Sequence, residues 1–270
     1  QGYIKLSKTN IKIKTNLTKD KVQFIRLVPK NNHIIIEIGY NVIEKEIIQN
    51  NNILAIDIGV NNIASCVTTN GDKFLINGKQ LKYINHNYNK RIADIQSKLK
   101  LTHNKNKSRY KSNITNKRNN RINDYLHKIT AYIVNQAVSN QIGTIVVGHN
   151  KEWKQEINIG SKNNQNFVSI PFRKILDILK YKLEDNGIEY KEQEESYTSK
   201  ASYLDNDDIP TYKEETEEIK FSGKRIKRGI YKSKQEKIIN ADLNGALNIL
   251  KKSGEKLIEE LEYLKYNNIF

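Results

Sequence analysis

The stretch Ile53-Leu54-Ala55-Ile56-Asp57-Ile58-Gly59-Val60-Asn61-Asn62-Ile63-Ala64-Ser65-Cys66-Val67 reads as an apolar strand carrying one acid, a tight turn, and a second apolar strand. A carboxylate among Ile, Leu and Val is costly to desolvate unless a cation or hydrogen bonds compensate it. A strand-end Asp that only stabilises a turn is the plain alternative. The flanking Ala55-Ile56 and Ile58-Gly59 favour a metal ligand, and Asp57 is the first candidate site residue.

Composition sets the partners. The chain has 270 residues with 46 Lys and Arg against 30 Asp and Glu, a net charge of +16. Such a surplus points to a polyanion, nucleic acid before anionic membrane. Residues 1–30 carry eight Lys/Arg and one acid; residues 90–128 carry twelve and two. Acids dominate from Leu183 to Glu218. No apolar run reaches the roughly 18 residues of a membrane span, and no signal-peptide pattern opens the chain. The one cysteine, Cys66, excludes an internal disulfide and a four-cysteine zinc site. On an apolar strand it reads as a small core residue. A cytoplasmic, nucleoid-associated protein is expected, or a nuclear one in a eukaryotic host. The absence of Met, at position 1 and throughout, suggests part of a longer protein.

Outward from the opening stretch, residues 1–52 alternate in places (Ile11, Ile13; Ile34 to Ile38) and predict short antiparallel strands. Asn70-Gly71-Asp72 is a hairpin signal leading to a third strand at Lys73–Ile76. Residues 79–140 predict a basic helical hairpin. Its first helix runs from about Tyr88, Thr102–Asn119 is a polar loop or charged helix end, and a stripe from Ile122 to Ala137 marks the second helix. The cations Lys90, Arg91, Lys98, Arg109, Lys117, Arg118 and Arg121 are candidate phosphate contacts rather than a merely solvated face. Residues 143–148 predict a buried parallel strand. Val168–Asn186 is a helix ended by Gly187, and Ile188–Glu194 the next strand. Residues 196–238 read as an irregular insertion. Ile239–Leu250 is a helix with Leu243, Ala246, Leu247 and Leu250 buried, and Glu255–Tyr266 a final helix.

The order is hairpin, third strand, helices, strand, helix, strand, insertion, helix. It is the RNase H-like order, an α/β mixed sheet with flanking helices, here preceded by a short β-rich segment. Parallel strands 53–57, 143–148 and 188–194 would end on one edge, where open α/β sheets place ligands. Asp242, near the start of the closing helix, can reach that edge; as a plain helix cap it would need no such company. Converging carboxylates repel unless cations neutralise them. A cluster of hard oxygen ligands selects Mg²⁺ or Mn²⁺, and two such ions suit phosphodiester cleavage.

These residues carry a resemblance. Ile56-Asp57-Ile58-Gly59-Val60-Asn61-Asn62 resembles the first RuvC motif of TnpB (OrfB) proteins of insertion sequences. Asn240-Ala241-Asp242-Leu243-Asn244-Gly245-Ala246-Leu247-Asn248-Ile249-Leu250 resembles their third. Tyr197-Thr198-Ser199-Lys200 is similar to the segment before the family's zinc-binding cysteines, and Gly2-Tyr3-Ile4-Lys5-Leu6 to the end of its β-rich wedge domain. The resemblance implies a wedge-like end at 1–52 and a RuvC nuclease domain at 53–270. It also implies an RNA-guided DNA endonuclease encoded by a transposon, with guide RNA and target DNA as partners and no membrane. Guide pairing would read sequence while the protein holds the duplex by its backbone.

Two departures stand out. Gly148 occupies the place where the family's middle acid ends a strand. Glu195, just before Ser196-Tyr197-Thr198-Ser199, is the natural replacement and resembles the arrangement in Fanzor proteins. Glu194 is the alternative, since strand parity aims one of the two inward, and Glu152 a third. The zinc cysteines are absent, with Lys200-Ala201-Ser202 in their place, so the 196–238 insertion is expected to be cysteine-free and to hold no zinc. His149 lies near the proposed edge, where a surface position is the plain alternative to a phosphate contact, and Trp153 could stack a base or cover the edge. Three readings compete: the nuclease, a nuclease-dead RNA-guided DNA-binding protein or transposase accessory protein, and a strand-joining transposase. The Thr-Ser segment and the closing helix argue against the last.

Overall fold

The computed structural model describes residues 2–30, 33–43, 45–149, 169–211, 220–254 and 267–269. The chain divides into two compact units, one of residues 1–44 and 92–117, the other of residues 45–91 and 118–270.

The first unit holds two hairpins. Strands β1 (Gly2–Lys5) and β2 (Lys12–Thr15) pair antiparallel with Ile4 opposite Ile13. Strands β3 (Val22–Lys30) and β4 (His33–Tyr40) pair from Lys30↔His33 outward, with a bulge between Val22 and Phe24. Their length and β-branched content overcome Pro29, which sits near the strand end where a missing donor costs little. The unit also takes the end of helix α1 (Lys79–His103) and the start of helix α2 (Arg109–Ser139), with Ile92, Ile95 and Ile114 buried.

Both helices are longer than the apolar spacing predicts. Helix α1 begins at Lys79 rather than about Tyr88, because the Asn77 side chain accepts the Lys79 N–H at 3.1 Å and Leu81 and Ile84 extend the buried stripe. Most of the polar segment 102–119 is helical as well. Ser108 accepts the Lys111 N–H at 3.1 Å, a side-chain cap that starts α2 without apolar residues.

The second unit is built on a six-stranded sheet. Strands β5 (Ile53–Asp57), β6 (Asn62–Thr68) and β7 (Lys73–Asn77) form an antiparallel meander. Strand β8 (Thr144–Gly148) pairs parallel to β5, and β9 (Glu189–Gln193) parallel to β8. The order is β13-β7-β6-β5-β8-β9, with the parallel edge strand β13 (Asn267–Ile269) foreseen by nothing in the sequence pattern. It is the mixed sheet of the RNase H-like fold, and β5, β8 and β9 end on one edge.

Residue parity along these strands fixes the two faces. Leu54, Ile56, Ile145 and Val147 pack with α2 and with helix α3 (Phe172–Glu184) in the larger core, where Phe172, Ile175, Leu176 and Leu179 are buried. Ile53, Ala55 and Val146 point the other way, onto Ile249 and Leu250 of helix α4 (Ala241–Lys252). Val67 and Leu75 join that face through Leu243, Ala246 and Leu247. Asp57 and Gly148 share its parity, so the acid and the glycine both belong under α4.

The segment 196–238 is not wholly irregular. Its short strands β10 (Lys224–Lys227) and β11 (Ile230–Lys232) form a hairpin over Arg228-Gly229, and β12 (Ile238–Asn240) completes a three-stranded sheet. Gly229 takes φ +78°, a left-handed turn position suited to glycine. Strands of three or four residues rich in Lys and Arg hide any period-2 signal. The final helix expected at Glu255–Tyr266 lies outside the described residues, as do Glu152 and Trp153.

Candidate metal and nucleic-acid site

Asp57 ends β5 beneath α4. An ideal Cβ on Gly245 of α4 would lie 2.6 Å from Asp57 Oδ2, so only glycine lets the helix come this close. Burial, then the charges of Glu195 and Asp242, push the Asp57 carboxyl well above its ordinary range; Arg225 pulls weakly the other way. The group keeps some surface toward an adjoining cavity, yet protein crowds it densely enough for desolvation to dominate.

Asp242 enters from the start of α4. Asn240 caps that helix, its side chain accepting the N–H groups of Asp242 at 2.9 Å and Leu243 at 3.2 Å. The cap frees the Asp242 carboxylate. Asn62 donates to its Oδ2 at 2.8 Å, and Arg225 of β10 approaches its Oδ1 at 3.3 Å.

The structure distinguishes the two candidates for a third acid, Glu195 and Glu194. Thr144, Val146 and Gly148 face α4, and their register partners Glu189, Lys191 and Gln193 follow them. Continuing the alternation brings Glu195 to that side. A Cβ on Gly148 would lie 2.8 Å from Glu195 Oε2 and would clash with Ile249 Cδ1. The Glu195 carboxylate thus fills space that a side chain at 148 would need. Glu194 is committed elsewhere. Its carboxylate pairs with the nearly buried Lys252 ammonium and accepts the Ser196 N–H at 2.8 Å. Burial raises the Glu194 pKa, but the hydrogen bonds from Lys252 and Ser196 outweigh it and the carboxyl is held low.

The closing helix also fixes the turn after Glu195. The fully buried Asn248 donates to the carbonyls of Thr198 and Ala201, each at 2.8 Å. Asn244 donates to Ala201 at 2.8 Å and accepts the Tyr203 N–H at 3.1 Å. Thr198 Oγ1 in turn donates to the Glu195 carbonyl at 2.8 Å. The two asparagines, spaced i and i+4, explain why the Asp-Leu-Asn-Gly-Ala-Leu-Asn run exceeds what a cap requires. In the cysteine-free segment after Thr198, the turn is held by hydrogen bonds. Tyr231 donates to Lys200 O at 2.7 Å, and Asp207 accepts the N–H groups of Ser202 and Ser222 at 2.8 and 3.0 Å.

Three carboxylates are a donor set for a hard divalent cation. Ser65, opposite Asp57 in the β5–β6 ladder, adds a buried hydroxyl with no hydrogen-bond partner among the described residues. Among the described residues, no three His, Cys, Asp or Glu side chains are already drawn close enough to chelate one ion.

Beside the acids opens a cavity of about 740 Å³, lined by the Gly59–Asn62 turn, Ser65, Lys79, Lys82, Arg225, Arg228 and both aspartates. Apart from the two aspartates, and Asn61, Asn62 and Ser65 quoted only as part of the opening stretch, none of its polar and basic lining was singled out in the sequence. The cations come from the start of α1 and from the β10–β11 hairpin, which no spacing rule connects.

Of the expected phosphate contacts, Lys90, Arg91, Lys98, Arg109, Lys117 and Arg121 are exposed, Lys98 paired with Asp94 at 3.0 Å. Arg118 turns inward instead. Its guanidinium donates to Asn85 Oδ1 at 2.6 and 2.9 Å and to Ser169 O at 3.1 Å, and lies over the Tyr88 ring. The buried amide of Asn85 demands that partner. His149 pairs with Glu192 at 3.4 Å. Cys66 is fully buried, and burial, then Asp57, raise its thiol pKa, as suits a core residue. No helix among the described residues is long and apolar enough to cross a membrane.

Residues 34–154 match the OrfB_IS605 family, described as a probable transposase, and residues 172–249 match the Cas12f1-like TNB domain. The TnpB-like protein ORF457 of Acidianus two-tailed virus is 26% identical over 75% of this chain and 42% of its own length. Among solved structures, a Cas12f1–sgRNA–target DNA complex aligns with TM-score 0.51 at 21% identity, over 73% of this chain and 49% of that one. A CRISPR-Cas12f ternary complex aligns with TM-score 0.51 at 19% identity, over 83% and 44%. The chain therefore spans less than half the length of each of these relatives.

Proposed function

Taking the chain as a TnpB-family protein, we propose that it is the nuclease portion of a transposon-encoded, RNA-guided DNA endonuclease in which Asp57, Glu195 and Asp242 hold divalent metal. The observation that carries this reading is the Asp57 carboxylate, buried at the shared strand edge and coupled to Glu195 and Asp242. Three acids so placed at neutral pH call for compensating cations.

A divalent metal pair, Mg²⁺ before Mn²⁺, would activate water and stabilise the leaving oxygen of a phosphodiester. The chain's own groups prepare that chemistry. Gly245 admits α4 onto Asp57, Asn240 and Asn62 fix Asp242, and Asn248 and Thr198 hold the turn that presents Glu195. Arg225 neutralises Asp242 until metal enters. Guide RNA and target DNA are the proposed partners, the ones that the aligned Cas12f1 protein holds in its complex with sgRNA and target DNA. We read residues 1–52 as the end of a wedge-like domain and the 196–238 insertion as a ribbon stabilised by hydrogen bonds in place of zinc.

One observation favours a second reading. Arg225 already occupies Asp242, and the three acids are not drawn together. A protein that binds DNA under RNA guidance without cutting would look the same.

The test is Mg²⁺-dependent cleavage of single-stranded DNA by the full-length protein with its guide RNA, wild type against Asp57→Ala, Asp242→Ala, Glu195→Gln and Glu194→Gln. The nuclease reading expects loss in the first three with RNA binding kept. Glu194→Gln should mainly lower stability, because the nearly buried Lys252 loses its charge partner. Cleavage retained by Asp57→Ala or Asp242→Ala would sink the site. A wild type that binds guided DNA and never cuts would move the protein to the second reading.

A further inference from the structure

The Asn61 side chain does something a turn residue need not do. Its Oδ1 accepts from Lys82 Nζ on α1, and also from Arg228 Nη2 at 2.9 Å, at the tip of the β10–β11 hairpin. Two cations from elements far apart in sequence thus converge on one neutral oxygen, and among the described residues no carboxylate is hydrogen-bonded or ion-paired to either. An amide oxygen carries no net charge, and the nearby charge of Asp242 offsets the repulsion between Lys82 and Arg228 only in part, so an anion seated between the two cations would be favoured. Both line the cavity of about 740 Å³ that Asp57 and Asp242 border. Lys79 lines it as well, and the unpartnered hydroxyl of Ser65 lies in its buried wall. A cavity of that size accommodates a nucleotide or two of one strand.

We propose that Lys82 and Arg228, gathered by Asn61, form a phosphate subsite that seats a backbone phosphate of a single strand beside the three acids. The inference deepens the nuclease reading by naming which residues hold the strand, but its chemistry needs no metal. Arg228 supplies a planar fork for two phosphate oxygens and Lys82 a point charge. Asn61 is the positioning residue: it fixes both cations without neutralising either, which Asp at the same place could not do. The β10–β11 hairpin thereby acts as one jaw and the start of α1 as the other.

The experiment measures binding of a fluorescent thymidine tetranucleotide to the 270-residue chain in EDTA, without guide RNA, over a range of salt concentrations. The variants are Lys82→Gln, Arg228→Gln and Asn61→Asp, with Lys128→Gln, exposed and paired with Asp124, as the comparison charge change. Each phosphate contact on a single strand contributes about 0.7 to the slope of log affinity against log salt. Lys82→Gln and Arg228→Gln should each lower the slope by about that amount, and Lys128→Gln should leave it near wild type. Asn61→Asp, isosteric and thus no threat to folding, should weaken binding severalfold because its carboxylate takes both cations. Equal slopes for Lys82→Gln, Arg228→Gln and Lys128→Gln, or wild-type affinity in Asn61→Asp, would overturn the subsite. Because divalent metal is absent, a chain that never cleaves can still support the inference, and an active nuclease can still refute it.

Discussion

At the scale of single residues, the site depends on two glycines where neighbours leave no room for a Cβ. At Gly245 the methyl of Ala would sit 2.6 Å from Asp57 Oδ2, and at Gly148 it would meet both Ile249 and Glu195. Gly245→Ala and Gly148→Ala should each lower stability by about 1–3 kcal/mol, the usual cost of overpacking, measured by urea unfolding. Gly148→Glu, which restores an acid to the family's usual position, should not raise the Mg²⁺-dependent rate, because it displaces Glu195. A clear gain would argue against relocation of the third acid.

The titration of Asp57 gives a further expectation at this scale. Its folded pKa lies above the ordinary carboxyl value of 3.8. The native state therefore binds that proton more tightly than the unfolded chain does. The stability this contributes is full below pH 3.8 and is lost as pH rises through the folded value. Burial and the two neighbouring acids thus make ionisation of Asp57 costly in the metal-free chain. Asp57→Asn should raise the Tm of the metal-free chain near pH 7, and adding Mg²⁺ should raise the wild-type Tm while leaving the variant unmoved. A variant less stable than wild type in EDTA would contradict this account of the carboxylate. Glu194 has the opposite sign: its depressed pKa stabilises the chain above about pH 4.5 and the gain disappears on acidification.

At the scale of elements, α4 is the part that turns a sheet into a site. One face packs Leu243, Ala246, Leu247 and Leu250 on the sheet. Its first turn delivers Asp242, its glycine admits Asp57, and its two asparagines hold the turn bearing Glu195. Asn248→Ala would strand the Thr198 and Ala201 carbonyls from a donor they share, though Asn244 still reaches Ala201. Leaving a buried acceptor unmet costs about 1–3 kcal/mol. Asn248→Ala should lose that much in unfolding experiments and should also lose cleavage, since the Glu195 turn is released. Unchanged cleavage at lower stability would confine Asn248 to a folding role.

At the scale of the molecule, a net charge of +16 is distributed unevenly, with exposed cations such as Lys90, Arg91, Lys98 and Arg121 along α1 and α2. Binding of RNA or DNA should therefore weaken steeply with salt, in proportion to the phosphates neutralised, as a filter-binding titration would read. Arg118→Gln should change that salt slope little and lower stability instead, because its guanidinium satisfies Asn85 rather than solvent.

The sequence by itself determined the strand–turn–strand around Asp57, the order of β5 to β9, the buried face of α4 and the absence of zinc cysteines. Those are local facts: periodicity, turn residues and residue type are written along the chain. Tertiary structure decided the rest. Glu194 and Glu195 are neighbours with the same chemistry. Only the folded backbone beyond β9 separates a carboxylate beside Asp57 from one paired with Lys252 at the end of α4. The cavity cations could not be read beforehand, since Lys82 and Arg228 lie 146 residues apart and meet only because Asn61 stands between two elements. Capping by Asn77 and Ser108 lengthened helices whose apolar stripes fade. Side-chain hydrogen bonds of that kind depend on where the backbone turns, which no hydrophobic period records.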